Sequence, residues 1–462
     1  MKINTSYSCK IKYYNHIFKE TVALYRKAVD FFIGVCLNEW DDVTTIKGTK
    51  ALQRYIETLC IISGKSQTLK YDFDTRFYKF PCYLRRAAIS EAIGKVSSYK
   101  SNLDNWEAED PKIRGKAPGI PKAGYIYPVL YKDNMYELTN SPYQMRVKVF
   151  IRNTWDWITV NLKKSDVDYV LRHCKARKQM SPTLQKRGKQ WYLDFPFEED
   201  IKLNKTKIQD QTIAAVDLGL NSAATVSIMR SDGTVLGRHF LKLPKEYDCL
   251  KHSINRIKKA QQRGARRMPR LWARAKGINN DIAVNTATFI HNTAVLYDAD
   301  VIIFEHLDLG GKKKGSKKQR LHHWRAQYVQ AMVSDKAHRD GIRISTICAW
   351  GTSRLAFDGS GKVLRGKEAE LGSYSVCKFN SGKVYNCDLN ATYNIGSRYF
   401  IRELLKSLPV KARLAAEAKV PQLAKRSTCT LSTLISLNAV LAESSAGKLS
   451  SVPYGRKVVP AA

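Results

Sequence analysis

The chain has 462 residues, with 78 Lys and Arg against 41 Asp and Glu, a formal charge of +37. An excess of this size repels itself unless polyanions neutralise it, so it points to nucleic acid and away from a self-satisfied metabolic fold. A hydrophobic content of 44% supports real cores in two to four domains, and no run of about 18 apolar residues offers a membrane span.

The positive charge is spread along the chain rather than held in one tail, as an extended polyanion lying across several domains requires. The start, Met1-Lys2-Ile3-Asn4-Thr5-Ser6, lacks the apolar stretch of a signal peptide, and ten cysteines without regular spacing read as reduced thiols. A cytoplasmic, nucleoid-associated bacterial protein is expected. Twenty-four Tyr and eight Trp supply faces that stack on unpaired bases, though most should serve as core.

Residues 1–12 read as one strand. Val22, Tyr25, Val29, Phe32, Ile33 and Cys36 then recur at helical spacing. A second helix is expected over Tyr83–Trp106 after Pro81, carrying Arg85, Arg86 and Lys95 as candidate nucleic-acid contacts. Pro and Gly break any regular element over 107–128. Met145, Val147, Val149 and Ile151 alternate with Arg146, Lys148 and Arg152, and Ile158, Val160 and Leu162 alternate likewise. Ser181–Phe197 reads as a hairpin around Lys186-Arg187-Gly188-Lys189. This density of strands suggests a small barrel whose polar face is basic, with Arg146 and Lys148 as candidate contacts.

Ile213-Ala214-Ala215-Val216-Asp217 is an apolar strand closed by an acid, followed by Gly219 and a second apolar run, Ala223–Ile228. Ser253–Tyr297 is helical and broken at Pro269, and its first part is dense in cations, with Arg256, Arg263, Arg266 and Arg267 as candidate phosphate contacts. His291 falls on the apolar side of that region and is read as a core histidine rather than a ligand. Val301-Ile302-Ile303-Phe304-Glu305 is a second buried-type strand ending in an acid. A Gly- and Lys-rich loop containing Lys312, Lys313 and Lys314 leads into a helix with Trp324, Tyr328 and Met332. Finally Asp388, in Asn386-Cys387-Asp388-Leu389-Asn390-Ala391-Thr392-Tyr393-Asn394-Ile395, opens a helical pattern, where the dipole favours an acid. Three acids from separate elements, about ninety and about eighty residues apart, suit two magnesium ions clamping a phosphodiester. Any one of them alone would usually be a solvated residue or a helix cap. Leu431, Leu434, Leu437 and Val440 allow one late helix, and the Ser-, Gly- and Pro-rich end reads as disordered.

These three segments resemble the split motifs of a RuvC-like nuclease domain with the RNase H fold. Asp388-x-Asn390-Ala391-x-x-Asn394-Ile395, preceded by Gly351-Thr352-Ser353-Arg354, is similar in form to TnpB proteins of transposons and compact type V CRISPR effectors. The resemblance implies a multidomain α+β protein. An oligonucleotide-binding-like wedge barrel (1–14 and 116–205) would carry an inserted helical recognition lobe (15–115). A split RuvC/RNase H-like α/β nuclease domain (206–408) would follow, containing a basic helical insertion (250–298), a lid (310–335, with Lys312, Lys313, Lys314 and Trp324) and a knuckle subdomain (354–386). A partly disordered tail (409–462) would end the chain. It further implies an RNA-guided, magnesium-dependent DNA endonuclease, with Asp217, Glu305 and Asp388 as catalytic acids holding two magnesium ions. Guide RNA and double-stranded DNA with a short flanking motif would be its partners, contacted in part by Arg354, and the length suffices for a monomer.

The family's knuckle carries two Cys pairs on one zinc. Here the aligned positions are Ala356, Gly359, Cys377 and Asn380, so the subdomain is expected to fold without zinc around Phe357, Val363, Leu364, Tyr374, Val376, Phe379 and Tyr385. Two other classes are weighed. A guide-directed repressor would lose at least one acid, and a resolvase or transposase working without guide RNA would lack the basic barrel and helices.

Overall fold

The computed structural model describes residues 1–13, 16–62, 69–111, 114–219, 222–307, 325–373 and 375–449. It is mixed α and β and divides into two compact units, residues 2–200 and residues 201–462 with Met1. Among the described residues no helix is long and apolar enough to cross a membrane.

In the first unit, β1 (Lys2–Lys10) precedes helices α1 (Ile17–Asn38), α2 (Trp40–Thr45), α3 (Thr49–Cys60) and α4 (Cys82–Ala108). Strands β2 (Tyr136–Leu138), β3 (Gln144–Ile151) and β4 (Thr154–Asn161), helix α5 (Lys164–Cys174), and strands β5 (Lys178–Gln179), β6 (Thr183–Arg187) and β7 (Gln190–Asp200) follow. β1 pairs antiparallel with β7, register Tyr7↔Phe195, so all four early helices lie in the chain between two partners of one sheet. The six apolar positions read at helical spacing in α1 are all buried. The hairpin is present too, turning at Gly188 with φ +59.

The expected barrel is two antiparallel sheets, β1-β7-β5 with β6 on β7, and β2-β3-β4. The isolated bridge Ile11↔Leu162 links the chain just after β1 to the chain just after β4, and Val129↔Thr183 ties the segment before β2 to β6. Helix α5, which strand-pattern reading passed over, takes the crossover between β4 and β5. No core boundary falls at residue 115, because one apolar cluster runs through helices and strands alike. Phe32 stacks on Phe73 at 4.8 Å, Phe80 meets Trp155 at 5.4 Å and Phe18 meets Trp191 at 5.4 Å. The Pro/Gly segment is tied to α1 as well: Arg26 donates to Ile126 O at 2.9 Å, and the Ala123 amide donates to Asp30 at 2.7 Å.

The second unit is built on a sheet ordered β10-β9-β8-β11-β12. β8 (Thr212–Asp217), β9 (Ala224–Arg230) and β10 (Val235–Leu241) form an antiparallel meander, and β11 (Val301–His306) and β12 (Arg343–Cys348) run parallel to β8. The apolar runs that end in Asp217 and Glu305 are its two adjacent central strands. Helices cover both faces, so alternate residues enter different cores. Ile213, Ala215, Val301 and Ile303 face one cluster; Ala214, Val216, Ile302 and Phe304 face the other.

Helices α6 (Pro244–Gln262) and α7 (Pro269–Leu296) follow the meander, and α8 (Ala326–Arg339) lies between β11 and β12. α7 and α8 pack on the second face. Pro269 sits in the first turn of α7, where its missing N–H costs nothing, so it begins a helix as well as ending the previous segment. The first face is covered by α9 (Cys387–Ser407), which follows the small strands β13 (Leu364–Arg365), β14 (Val376–Lys378) and β15 (Val384–Asn386). α9 lies so close to the sheet that a Cβ on Gly396 would stand 2.5 Å from the Met229 sulfur.

The region expected as a tail is largely structured. α10 (Val410–Lys419) and α11 (Leu431–Leu449) follow α9, and Leu434 and Leu437 of α11 are completely buried in the cluster that includes α9. Without them the outer side of α9 would face water. Residues 450–462 lie outside the described residues.

Candidate active site

The acids arrive on three elements. Asp217 ends β8 and Glu305 lies near the end of β11, one step beyond the Val216↔Phe304 pair that joins these parallel strands. Asp388 sits in the first turn of α9. That helix is capped by Asn386, whose side-chain oxygen accepts from the Asp388 and Leu389 amides at 3.0 Å each, satisfying two of the helix's free donors. After β8 the chain must turn sharply, and a Cβ on Gly219 would stand 2.8 Å from Ser222 O.

The acids feel one another. Burial, then the charges of Glu305 and Asp388, push the Asp217 carboxyl well above its ordinary range, with Arg365 opposing. Glu305 is raised by burial, against a hydrogen bond from Thr352 and the charge of Arg398. Two hydroxyls hold the acids: Thr352 Oγ1 donates to Glu305 Oε1, and Ser222 Oγ donates to Asp388 Oδ2 at 3.0 Å. Gln330 of α8 also donates to the Glu305 carbonyl at 3.0 Å. The donor set is hard oxygen, which suits magnesium, and a divalent cation relieves the crowding that raises Asp217. Among the described residues, no three His, Cys, Asp or Glu side chains are grouped so as to hold one ion.

The candidate cations fall into two sets. Arg256, Arg263, Arg266 and Arg267, on and just after α6, are exposed and make no ion pair among the described residues. Arg354 is exposed as well. The cations of the first unit already have partners. Arg85 has a side chain 14% exposed and pairs with Glu57 at 3.4 Å, which fastens α4 to α3. Arg86 shares that carboxylate at 3.3 Å, and Lys95 lies 3.9 Å from Glu91. Arg146 pairs with Glu137 at 2.6 Å, and both Arg146 and Lys148 lie over the Trp157 ring. Lys312, Lys313, Lys314 and Trp324 lie outside the described residues.

A family model described as the Aq_aa04 family matches residues 5–151. A protein of Aquifex aeolicus (strain VF5) described as TnpB-like protein aq_aa05 is 27% identical over 241 residues, 46% of this chain and 76% of its own length. This chain is a relative of a TnpB-like protein. The uncharacterized protein aq_aa04 of the same organism is 46% identical over 48 residues, 10% of this chain and 28% of its own. Two solved chains are similar more loosely. One, from a Cas12f1–sgRNA–target DNA complex, is 12% identical with a TM-score of 0.34, covering 85% of this chain and 98% of its own. The other, from an AacC2c1–sgRNA–extended non-target DNA ternary complex, is 10% identical with a TM-score of 0.43, covering 86% and 70%.

Against the TnpB-type pattern, the knuckle region of this chain has a small apolar core. Ala356, Val363, Cys377, Phe379 and Cys387 are buried there, with Phe357 and Tyr385 packed against them. Leu364 was expected inside but is exposed, while its neighbour Val363 is buried. Tyr374 lies outside the described residues. Cys387 was unforeseen; its thiol interacts with that of Cys377, which lowers Cys387 and raises Cys377. His291 is mostly buried and pairs with Asp340 at 2.5 Å, tying α7 to the end of α8.

Sequence reading missed the hydroxyls of Ser222 and Thr352, and the work of Asn390 and Asn394. A signal existed for the asparagines. Two Asn four residues apart on a helix, a residue type that disfavours helix interiors, ask for a buried partner.

Proposed function

We propose that this protein is an RNA-guided DNA endonuclease of the TnpB type. A guide RNA would pair with the target strand, and one magnesium-dependent site would hydrolyse DNA phosphodiesters. The observation that carries the reading is the convergence of three acids from distant segments. Asp217 and Glu305 follow the paired Val216 and Phe304 of adjacent parallel strands and Asp388 opens the helix over that sheet, so that Glu305 and Asp388 both raise the Asp217 carboxyl, although the three are not drawn tightly enough to close on one ion without a cation to gather them. The sheet order, an antiparallel meander extended by two parallel strands, supports an RNase H-like framework for them. The relation to a TnpB-like protein and the unpaired arginines around α6 support a nucleic-acid substrate.

Asp217, Glu305 and Asp388 would hold the magnesium. When bound, the metal supplies polarisation of the scissile phosphate and an activated water. The chain's own groups do the rest. Thr352 and Ser222 each occupy one oxygen of Glu305 and Asp388, and no described hydrogen bond reaches the other oxygen of either carboxylate. Arg365 offsets part of the negative charge at Asp217. Arg256, Arg263, Arg266 and Arg267 would lie along the phosphate backbone of the heteroduplex. Binding would use guide RNA and duplex DNA with a short flanking motif, and no zinc is called for.

The test is to express the protein with its co-purifying RNA, sequence that RNA, and assay cleavage of a matching duplex. Asp217→Ala, Glu305→Ala and Asp388→Ala are each expected to abolish cutting while guide and target binding stay nearly intact. Substantial magnesium-dependent cutting by any one of them would overturn the assignment.

A further inference from the structure

We infer that Thr352 and Asn394 are positioning residues that set the Glu305 carboxylate in register with Asp388. The inference rests on the reading of Glu305 and Asp388 as metal ligands.

Thr352 follows β12 in a tight turn where Gly351 has φ +75, and only 2% of its surface is exposed. Its hydroxyl has two acceptors in reach, Glu305 Oε1 and its own turn's Ala349 O at 3.0 Å. A hydroxyl has one proton to give, and the charged acceptor binds it more strongly. The hydroxyl therefore fixes one oxygen of Glu305 and with it the direction of the other.

The turn that carries Thr352 is itself held by α9. Asn394 Nδ2 donates to Thr352 O at 2.9 Å and to Leu355 O at 2.8 Å. Asn390 Nδ2 donates to Leu355 O at 2.8 Å, and its oxygen accepts from the Phe357 amide at 2.8 Å. Arg398, one turn further on, grips the other end of the segment, donating to Cys348 O at 3.0 Å and Trp350 O at 2.8 Å. Asn390, Asn394 and Arg398 recur every four residues, so one stripe of α9 faces the segment 348–357. The same helix carries Asp388 in its first turn. One rigid element thus delivers one acid and holds the donor that aims another.

A structural account explains the reach of the Thr352 hydroxyl to Ala349 O but not its approach to the Glu305 carboxylate. The fold needs the turn's backbone clamped, and the asparagines do that; aiming the hydroxyl at a carboxylate adds little to the clamp. The two roles separate in Thr352→Val, which keeps the shape and the backbone bonds and removes only the donor.

The experiment measures Mn²⁺ binding to the RNA-bound protein by calorimetry, and the magnesium dependence of cleavage, for wild type, Thr352→Val, Thr352→Ser and Glu305→Ala. Thr352→Val should weaken metal binding about 10-fold or more, as loss of a ligand's supporting hydrogen bond commonly does. It should raise the magnesium needed for half-maximal cutting by a similar factor, with rate at saturating magnesium largely kept. Thr352→Ser should restore both. If Thr352→Val fails to fold, Thr352→Ala takes its place. Glu305→Ala losing metal while Thr352→Val binds and cuts as wild type would overturn the positioning role alone. Thr352→Ser failing together with Thr352→Val, with equal falls in melting temperature, would overturn it too, in favour of a packing role. Glu305→Ala with unchanged metal binding would overturn the site reading and this inference with it.

Discussion

Helices α9 and α6 belong to the same compact unit and treat their polar groups in opposite ways. α9 buries 15 of its 21 residues, including Asn390, Thr392, Asn394, Ser397 and Arg398. Those polar side chains are engaged inside the protein, on the segment 348–357, on Ser227, on the Tyr393 carbonyl and on the C-terminal segment. α6 buries only Leu250, Ser253 and Ile257, and its Arg256, with Arg263, Arg266 and Arg267 just beyond its end, is exposed without a carboxylate partner among the described residues. A polar group consumed internally fixes geometry; a charged group left unmatched is available to a partner. Under the proposed function, α9 would frame the chemistry and α6 would receive the polyanion.

The contrast breaks most sharply at Arg398. It donates to four carbonyls, those of Cys348, Trp350, Ser427 and Cys429. It therefore joins the Thr352 segment to the chain that leads into α11. Arg398→Met leaves these acceptors without their donor, at about 1–3 kcal/mol for each buried group left unsatisfied. Urea unfolding of the metal-free protein should show a loss of several kcal/mol. A loss below about 1 kcal/mol, the usual cost of a single ordinary hydrogen bond, would mean that α9 is not the internal clamp described.

The smaller effect is at α6, and it should have the opposite signature. Changing Arg256, Arg263, Arg266 and Arg267 together to Gln should leave the melting temperature nearly where it was, because solvated surface positions typically move stability by about 0.5 kcal/mol or less. Target binding should weaken, and its salt dependence should become shallower by about 0.9 in slope for each duplex phosphate that the variant no longer neutralises. Unchanged affinity and slope would make α6 a solvated face and would move the heteroduplex elsewhere.

The same contrast explains what was legible in the sequence. Asp217 and Glu305 could be read because each closes an apolar run, and Asp388 because it opens a helix. The covered faces of β8 and β11 produce continuous apolar strands, which is a pattern local in the chain. Thr352 and Ser222 could not be read the same way, since a hydroxyl that meets its acceptor 47 or 166 residues away leaves no local trace. Arg85 looked like a free cation on a basic helix until Glu57, on another helix, was placed beside it. Charge alone cannot distinguish that arginine from those around α6. Where the late helix packs was hidden for a related reason. Leu434 and Leu437 signalled a helix, but only the uncovered side of α9 explains where that helix packs.

The smallest effect concerns the cost of assembling the acids. Burial and the charges of Glu305 and Asp388 raise the Asp217 carboxyl in the folded state, whereas the unfolded chain titrates in the ordinary range. Between those two values the folded protein holds a proton that the unfolded chain has released, so stability falls as pH rises through that window. Above it, the full penalty persists. Asp217→Asn removes one of the crowded charges at nearly constant shape. In chelator at neutral pH the variant should therefore melt higher than wild type, by about 2–4 °C for each kcal/mol relieved. The difference should shrink as pH falls toward about 4, where the ordinary carboxyl itself becomes protonated. Magnesium should reverse the order, because the cation stabilises the wild-type carboxylates and has less to bind in the variant. Thermal scans at neutral and acid pH, with chelator or magnesium, measure all three signs. A variant that melts lower than wild type at neutral pH in chelator would show that Asp217 is held by favourable contacts, and the crowding on which the metal assignment leans would be absent.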